Sequence, residues 1–227
     1  FETPTLNELF YSPSGAGFNF DLRPASSKHA EIGMKAIVGS STRVNAALFQ
    51  VRTDDELVVD TSGGGRTSYR NASETLRRGV ELSAETSFAD GWSARMAMTA
   101  LRATYETAFG SVAAGSSLPG IPRANLFAEL AWNDKAGRFG AALEGIASKK
   151  FYTEDTNTEI PAPGYGVLNA RVQAKQSAGR WKFTEFVRLN NLLDRSYVGS
   201  VIVGDANKRY YEAAPGRNWL VGVSAQY

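Results

Sequence analysis

Hydrophobic residues along this chain recur at every second position. At the C-terminal end Trp219, Val221, Val223, Ala225 and Tyr227 fall on one face of an extended chain, with Leu220, Gly222, Ser224 and Gln226 on the other. Successive strand side chains point to opposite sides, so the spacing predicts a two-faced β-strand. The same alternation sets Val80, Leu82, Ala84 and Phe88 against Glu81, Ser83, Glu85 and Ser87. It sets Trp92, Ala94, Met96 and Met98 against Ser93, Arg95, Ala97 and Thr99. It returns in Leu126, Ala128, Leu130 and Trp132, and again in Leu168, Ala170, Val172 and Ala174. Glu185 shares a face with Trp181, Phe183 and Val187, and residues 43–53 are apolar on both faces, so pattern alone does not orient that strand. A helical reading fails: Gly, Thr and Val occupy segment interiors, and few segments are apolar at i, i+3, i+4 and i+7.

The connections alternate in length. Short ones lie at Gly39-Ser40-Ser41, Ala89-Asp90-Gly91, residues 133–137 and residues 176–179, where Gly with small or polar neighbours suits tight hairpin turns. Longer ones, rich in Gly, Ser, Pro, Asn and Thr, lie near residues 12–27, 60–66, 107–120, 152–164 and 199–208. Short turns on one side and long loops on the other are the organisation of an outer-membrane barrel. With long loops outside, the last strand descends to Tyr227 and the C-terminus is expected in the periplasm. About ten strands are expected, nine of them full and the first a partial ascending one near Phe1. Aromatic residues crowd the strand ends (Trp92, Trp132, Phe139, Phe151, Tyr152, Tyr165, Trp181, Tyr197, Tyr210, Tyr211 and Trp219), as interfacial girdles require. The fold class expected is therefore all-β: an antiparallel transmembrane β-barrel, present as a C-terminal fragment.

Composition narrows the functional classes. With 25 basic and 23 acidic residues the net charge is +2, which leaves no electrostatic footprint for nucleic acid. There is no cysteine, hence no disulfide and no thiolate metal site. No stretch approaches the roughly 18 to 20 apolar residues of a spanning helix, but a barrel strand is apolar only on alternate positions. The chain opens at Phe1 with neither methionine nor a leader, so a longer protein is expected.

Candidate chemistry is sparse. Asp54, Asp55 and Glu56 could offer oxygen ligands to a hard cation, or form a solvated strand end. Glu154, Asp155 and Glu159 share a loop and could serve as acid and base, but nothing places a nucleophile beside them. His29 is the single histidine, which excludes a multi-histidine metal site and argues against catalysis. Gly63-Gly64-Gly65-Arg66 lacks the Gly-Lys-Ser/Thr ending of a phosphate loop and suits a hairpin. Lys149-Lys150, Lys208-Arg209 and Arg217 could meet lipopolysaccharide phosphates or an anionic ligand, or simply carry rim charge. No enzyme activity, metal or cofactor is expected.

Several motifs occur in a telling order. These are Phe1-Glu2-Thr3-Pro4-Thr5, Asn19-Phe20-Asp21-Leu22-Arg23-Pro24, Arg70-Asn71-Ala72 with Gly79-Val80-Glu81, Pro122-Arg123, Asn191-Leu192-Leu193-Asp194-Arg195-Ser196-Tyr197, Pro215-Gly216-Arg217 and the terminal Tyr227. Together they resemble the TonB-dependent outer-membrane receptors over essentially the whole chain. One departure is Ala25, where the family usually continues with Glu. Residues 53–60, Gly64-Gly65-Arg66-Thr67, residues 197–203 and Arg209-Tyr210-Tyr211-Glu212 look like the branch that takes up pyrroloquinoline quinone, formerly grouped with iron-siderophore receptors.

The resemblance implies a barrel of about 22 strands around an N-terminal plug, with a TonB box reaching the energy-coupling complex. The plug and TonB box are expected to be absent from this chain. A small-molecule ligand is implied. A tricarboxylate would need cations, so Arg66, Lys208 and Arg209 are the loop candidates, with Tyr210 and Tyr211 for stacking. The alternating last strand, with Trp219, Val221, Val223 and Tyr227, resembles the signal read by the barrel-assembly machinery; Tyr227 could equally be a girdle residue. Outer-membrane lipid and lipopolysaccharide are the other expected partners. Two readings compete: a small stand-alone barrel acting as a protease or lipase, and a soluble β-rich binding module.

Overall fold

A computed structural model describes residues 1–12 and 17–227; residues 13–16, part of the loop expected at 12–27, lie outside the described residues. The sheet strands are β1 (Ser26–Val38), β2 (Thr42–Gly63), β3 (Arg66–Phe88), β4 (Trp92–Tyr105), β5 (Ala124–Asn133), β6 (Phe139–Ser148), β7 (Tyr165–Ala178), β8 (Trp181–Asn190) and β11 (Asn218–Gln226). They form one nine-stranded antiparallel sheet in the order β1 to β8, then β11. The expected up-and-down order therefore holds for the nine full strands. The partial strand expected near Phe1 is reduced to one bridge, Glu2 with Ala25. After it comes a single helical turn, α1 (Leu6–Leu9), closed by a capping box between Thr5 and Glu8.

The register sorts side chains onto two faces. Ile32, Leu48, Val80 and Ala100 lie opposite one another across β1 to β4. Met98, Leu126 and Ala147 continue that face, as do Leu143, Ala170, Leu189 and Trp219. It is exposed despite being apolar: Ile32 is 72% exposed and Trp219 71%. An uncovered apolar face of this extent needs lipid or another chain against it. At its turn end Phe88, Trp92 and Trp132 stand side by side, and Trp181 meets the edge of Tyr227 with ring centroids 5.1 Å apart. These are girdle positions. Phe151 and Tyr210 are not: both are buried under the loops.

The opposite face is polar. Arg95 donates to Glu129 at 3.0 Å, and Arg188 grips Glu144 with two parallel hydrogen bonds of 2.7 and 2.5 Å. Register also settles residues 43–53. Val44, Ala46 and Leu48 join the apolar face, while Phe49 turns to the polar side opposite Gly79.

Two loop assignments change. The connection expected at residues 60–66 is a tall hairpin. β2 and β3 continue to Gly63 and Arg66, joined by Gly64 and Gly65 at φ +59° and +75°. Positive φ at both central residues makes the type I′ turn that matches strand twist. The hairpin rises roughly 30 Å past the end of β1. The connection expected at residues 199–208 is longer, spanning 191–217, and carries a ribbon of β9 (Val198–Val201) and β10 (Tyr211–Ala213).

Candidate ligand site at the loop end of the sheet

The hairpin changes face partway up. Asp54 pairs with Glu74 and Glu56 with Ala72, so Asp55 and Ser73 drop out of the register, with Asp55 at φ +55°. Below this irregularity odd-numbered β2 residues face the polar side. Above it Glu56 faces that side, bonding Thr75 and Arg77. Val58 and Ala72 join Ala103, Tyr105, Val112 and Leu118 in a buried cluster. The packed core of this chain thus sits at the loop end, beneath the loops.

Asp155, from the β6–β7 loop, ties that assembly together. Its carboxylate accepts from the Tyr105 hydroxyl at 2.6 Å and from Arg70 Nη2 at 3.0 Å. Arg70 also reaches Asp60 at 3.3 Å and lies over the Phe109 ring, 4.8 Å from its centroid. Asn157, at φ +59°, clamps the β4–β5 loop by accepting from Ser117 N at 2.6 Å and donating to Ser117 O at 2.9 Å. Within the same loop burial pushes the Glu154 carboxyl up. Hydrogen bonds from the Thr156 hydroxyl and the backbone N–H groups of Thr156 and Glu159 outweigh it, and the group sits below the usual range.

The β8–β11 connection crosses the polar face to reach the hairpin. Ser62 N donates to Gly204 O at 3.1 Å, Ala206 N donates to Ser62 O at 2.7 Å, and Gly204 N donates to Thr153 O at 3.0 Å. β2 and β8 are six steps apart in the sheet, about 29 Å at strand spacing. Extended, the residues from Asn191 to Gly204 reach across that distance.

The bridge separates two open cavities. One, of about 330 Å³, is lined by Asp60, Arg70, Glu154, Asp155, Glu159 and Tyr210 among others. The second, of about 760 Å³, is lined by Phe10, Tyr11, Phe18, Gly64, Arg66 and Asn207 among others.

The five residues expected to bind ligand are not brought together. Arg66 lines the larger cavity with its guanidinium over the Tyr11 ring, 5.5 Å from the centroid. Tyr210 is buried at the smaller one. Lys208 donates to Glu159 at 2.6 Å, and that bond raises its pKa. The Tyr211 hydroxyl donates to Ile160 O at 2.7 Å, and Arg209 contributes its backbone N–H to Asp205.

Sequence reasoning missed Phe10, Tyr11, Phe18, Asp60, Arg70 and Tyr105. Three aromatic rings within a Gly- and Ser-rich loop were the available signal for the first group. Asp54, Asp55 and Glu56 do not converge on a cation: Asp55 pairs with Arg23 at 2.5 Å and Glu56 with Arg77. Among the described residues no cluster of three or more His, Asp or Glu is placed to hold a metal ion.

The family model described as TonB dependent receptor-like, beta-barrel matches residues 1–192. Among solved structures, the copper transporter OprC aligns with TM-score 0.76 and 19% identity, over 99% of this chain and 36% of its own. The ferric yersiniabactin uptake receptor FyuA from Yersinia pestis aligns with TM-score 0.68 and 22% identity, over 88% of this chain and 29% of its own. The ferric citrate transporter FecA, unliganded, aligns with TM-score 0.74 and 16% identity, over 89% of this chain and 32% of its own. The chain spans about a third of the length of the structures it resembles.

Proposed function

Because the chain belongs to the TonB-dependent receptor β-barrel family, a family of outer-membrane receptors, we propose that it supplies the C-terminal part of the barrel wall and the outer loops of an active transporter. The observation that carries this reading is the two-faced sheet crowned by interlocked loops. An exposed apolar face with aromatic girdle positions suits lipid, and a polar face of arginine–carboxylate pairs suits an aqueous lumen.

In this reading the short turns and Tyr227 are periplasmic and the loops external. β1 and β11 have free edges in this sheet, and unpaired backbone in hydrocarbon costs several kcal/mol per group. Further strands pair with both edges, a plug preceding them fills the lumen, and the last strand is read by the barrel-assembly machinery. Coupling to TonB runs through the plug and not through residues of this chain. Lys149 and Lys150, at the loop end, would meet lipopolysaccharide phosphates, whereas Arg217 is held by Asp194 at 3.6 Å.

The imported ligand is a scarce nutrient of the pyrroloquinoline quinone or ferric-siderophore kind. The sequence likeness at residues 53–60, 64–67 and 197–212 supports the first. The ferric yersiniabactin and ferric citrate transporters among the similar structures support the second.

The test is uptake by cells expressing the complete receptor, with and without a protonophore. Accumulation of labelled pyrroloquinoline quinone or ferric siderophore that the protonophore abolishes is expected. Entry that ignores the protonophore, or none for any of these ligands, overturns the transporter reading.

A further inference from the structure

We propose that the larger cavity, between the Phe10, Tyr11 and Phe18 rings and the tip of the β2–β3 hairpin, is a binding site for a planar aromatic anion, with Arg66 as its charge partner. This deepens the transporter reading and rests on it.

The two cavities differ in electrostatics, and the difference decides between them. The smaller one is lined by Asp60, Glu154, Asp155 and Glu159 against Arg70 alone. Its cations are already engaged: Arg70 by Asp60 and Asp155, and Lys208, beside it, by Glu159. An anion entering there meets uncompensated carboxylates. The larger cavity has, among the described residues, a single charged residue in its lining, Arg66. Among the described residues no carboxylate pairs with the Arg66 guanidinium and no side-chain hydrogen bond engages it, while the face of Tyr11 lies 5.5 Å from it. A contact to a ring face leaves the planar N–H donors of a guanidinium available for a carboxylate or a catecholate oxygen.

The remaining walls suit a flat ring system. Phe10 meets Tyr11 and Phe18 edge to face, at centroid distances of 4.9 and 5.4 Å, and Phe18 stacks on Phe20 at 5.5 Å. These rings stand partly open to solvent. Some 760 Å³ lies within the range of small-molecule sites. Asn207 and the hydroxyl of Ser68, also in the lining, supply neutral hydrogen-bonding groups. Ala206, in the wall, donates to Ser62 O and so ties the cavity to the bridge that separates it from its acidic neighbour.

The experiment is equilibrium binding to the complete, detergent-purified receptor. The probes are pyrroloquinoline quinone, a planar aromatic anion; a ferric catecholate, an octahedral anion whose separate rings are each planar; and ferric citrate, an anion without an aromatic ring. Arg66→Gln is expected to weaken the aromatic probe that binds by about tenfold or more, equal to about 1.4 kcal/mol. Arg66→Lys should restore part of the loss, Tyr11→Leu should weaken binding severalfold, and Lys208→Gln should leave it within about twofold. Heat-modifiable gel mobility reports that each variant is folded.

Unchanged binding in folded Arg66→Gln, or ferric citrate bound in preference to both aromatic probes, overturns the site. So does a greater loss with Lys208→Gln than with Arg66→Gln. Protonophore-sensitive uptake by the wild-type receptor is measured in parallel. If uptake persists while these binding results fail, the site is wrong and the transporter reading stands.

Discussion

Phe49 lies across Gly79 on the neighbouring strand, so close that a Cβ at Gly79 would fall 2.5 Å from the ring's Cζ and 2.8 Å from the Ala100 carbonyl oxygen. The ring can relax, but the carbonyl belongs to the β4 ladder and cannot. Gly222 and Phe186 repeat the arrangement at the other end of the sheet, where a Cβ would strike the Phe186 ring. In both pairs an aromatic side chain covers the backbone of a glycine on the polar face. Gly79→Ala should therefore destabilise the assembled barrel by about 1–3 kcal/mol. Adding Phe49→Leu should recover only part of this, because the clash with Ala100 O remains. Urea midpoints of the complete protein in detergent, followed by heat-modifiable mobility, check both expectations.

Removing the Asp155 carboxylate should loosen the loops without unfolding the sheet. Tyr105 and Arg70 both lose a partner, and Tyr105 is fully buried. Breaking a buried pair by deleting one member costs about 3–5 kcal/mol. Arg70 keeps Asp60 and is partly exposed, so Asp155→Ala should fall at or below the lower end. Asp155→Asn, which retains an acceptor for the Tyr105 hydroxyl, should cost less. Amide exchange in residues 106–123 and 149–164 should rise markedly, with little change in β5 to β8. Equal exchange across the molecule would show that the carboxylate supports the whole fold instead.

Period-two alternation made the sheet legible, because lipid on one side and a wet lumen on the other force a strict sorting of side chains. It failed where that sorting lapses. Residues 43–53 looked apolar on both faces because Phe49 serves as a cover for Gly79 on the polar face. The top of the hairpin read as a loop because strands beyond the membrane have no apolar face to keep. Thr61, Ser62, Thr67 and Ser68 are strand residues there with the composition of a connection. The left-handed Asp55 reverses the faces above it, so no alternation rule could have predicted that Val58 and Ala72 are buried. The candidate site was half legible. Cations and aromatics in loops were visible, but pairing is a tertiary fact. Sequence alone could not distinguish Lys208, held by Glu159, from Arg66, with which no carboxylate pairs among the described residues.

The β6–β7 loop should lose order in acid. The folded Glu154 carboxyl sits below the ordinary glutamate value of 4.5. The folded loop thus binds a proton less readily than the unfolded one. The resulting stabilisation is fully present above that ordinary value and is lost as pH falls through the depressed one. Exchange at the amides of Thr156 and Glu159, after correction for intrinsic rates, should accelerate as pH falls below the ordinary glutamate value of 4.5. Glu154→Gln should be more open throughout and should lack the step. A step of the same size in Glu154→Gln would assign it to another group.

Tyr227 makes two contacts that separate its two possible roles. Its ring meets Trp181 at 5.1 Å, and its hydroxyl accepts from Arg180 at 3.2 Å. If the residue is only part of the girdle, its value lies in the assembled barrel. Tyr227→Ser would then lower the urea midpoint by an amount equivalent to about 1 kcal/mol, while the rate of assembly would be unchanged. If the last strand is the assembly signal, the loss appears before the barrel exists. Export and insertion of the complete receptor should then slow severalfold in Tyr227→Ser and remain near normal in Tyr227→Phe, which keeps the terminal ring. Val221→Asn and Val223→Asn, which break the alternation on the same face, should add to the delay. Pulse-labelled cells sampled for heat-modifiable receptor measure the rate, and denaturation of the purified product measures stability. The assembly reading predicts slow appearance of a barrel that, once made, is only slightly weaker. Normal kinetics with reduced stability would leave Tyr227 as an interfacial anchor alone.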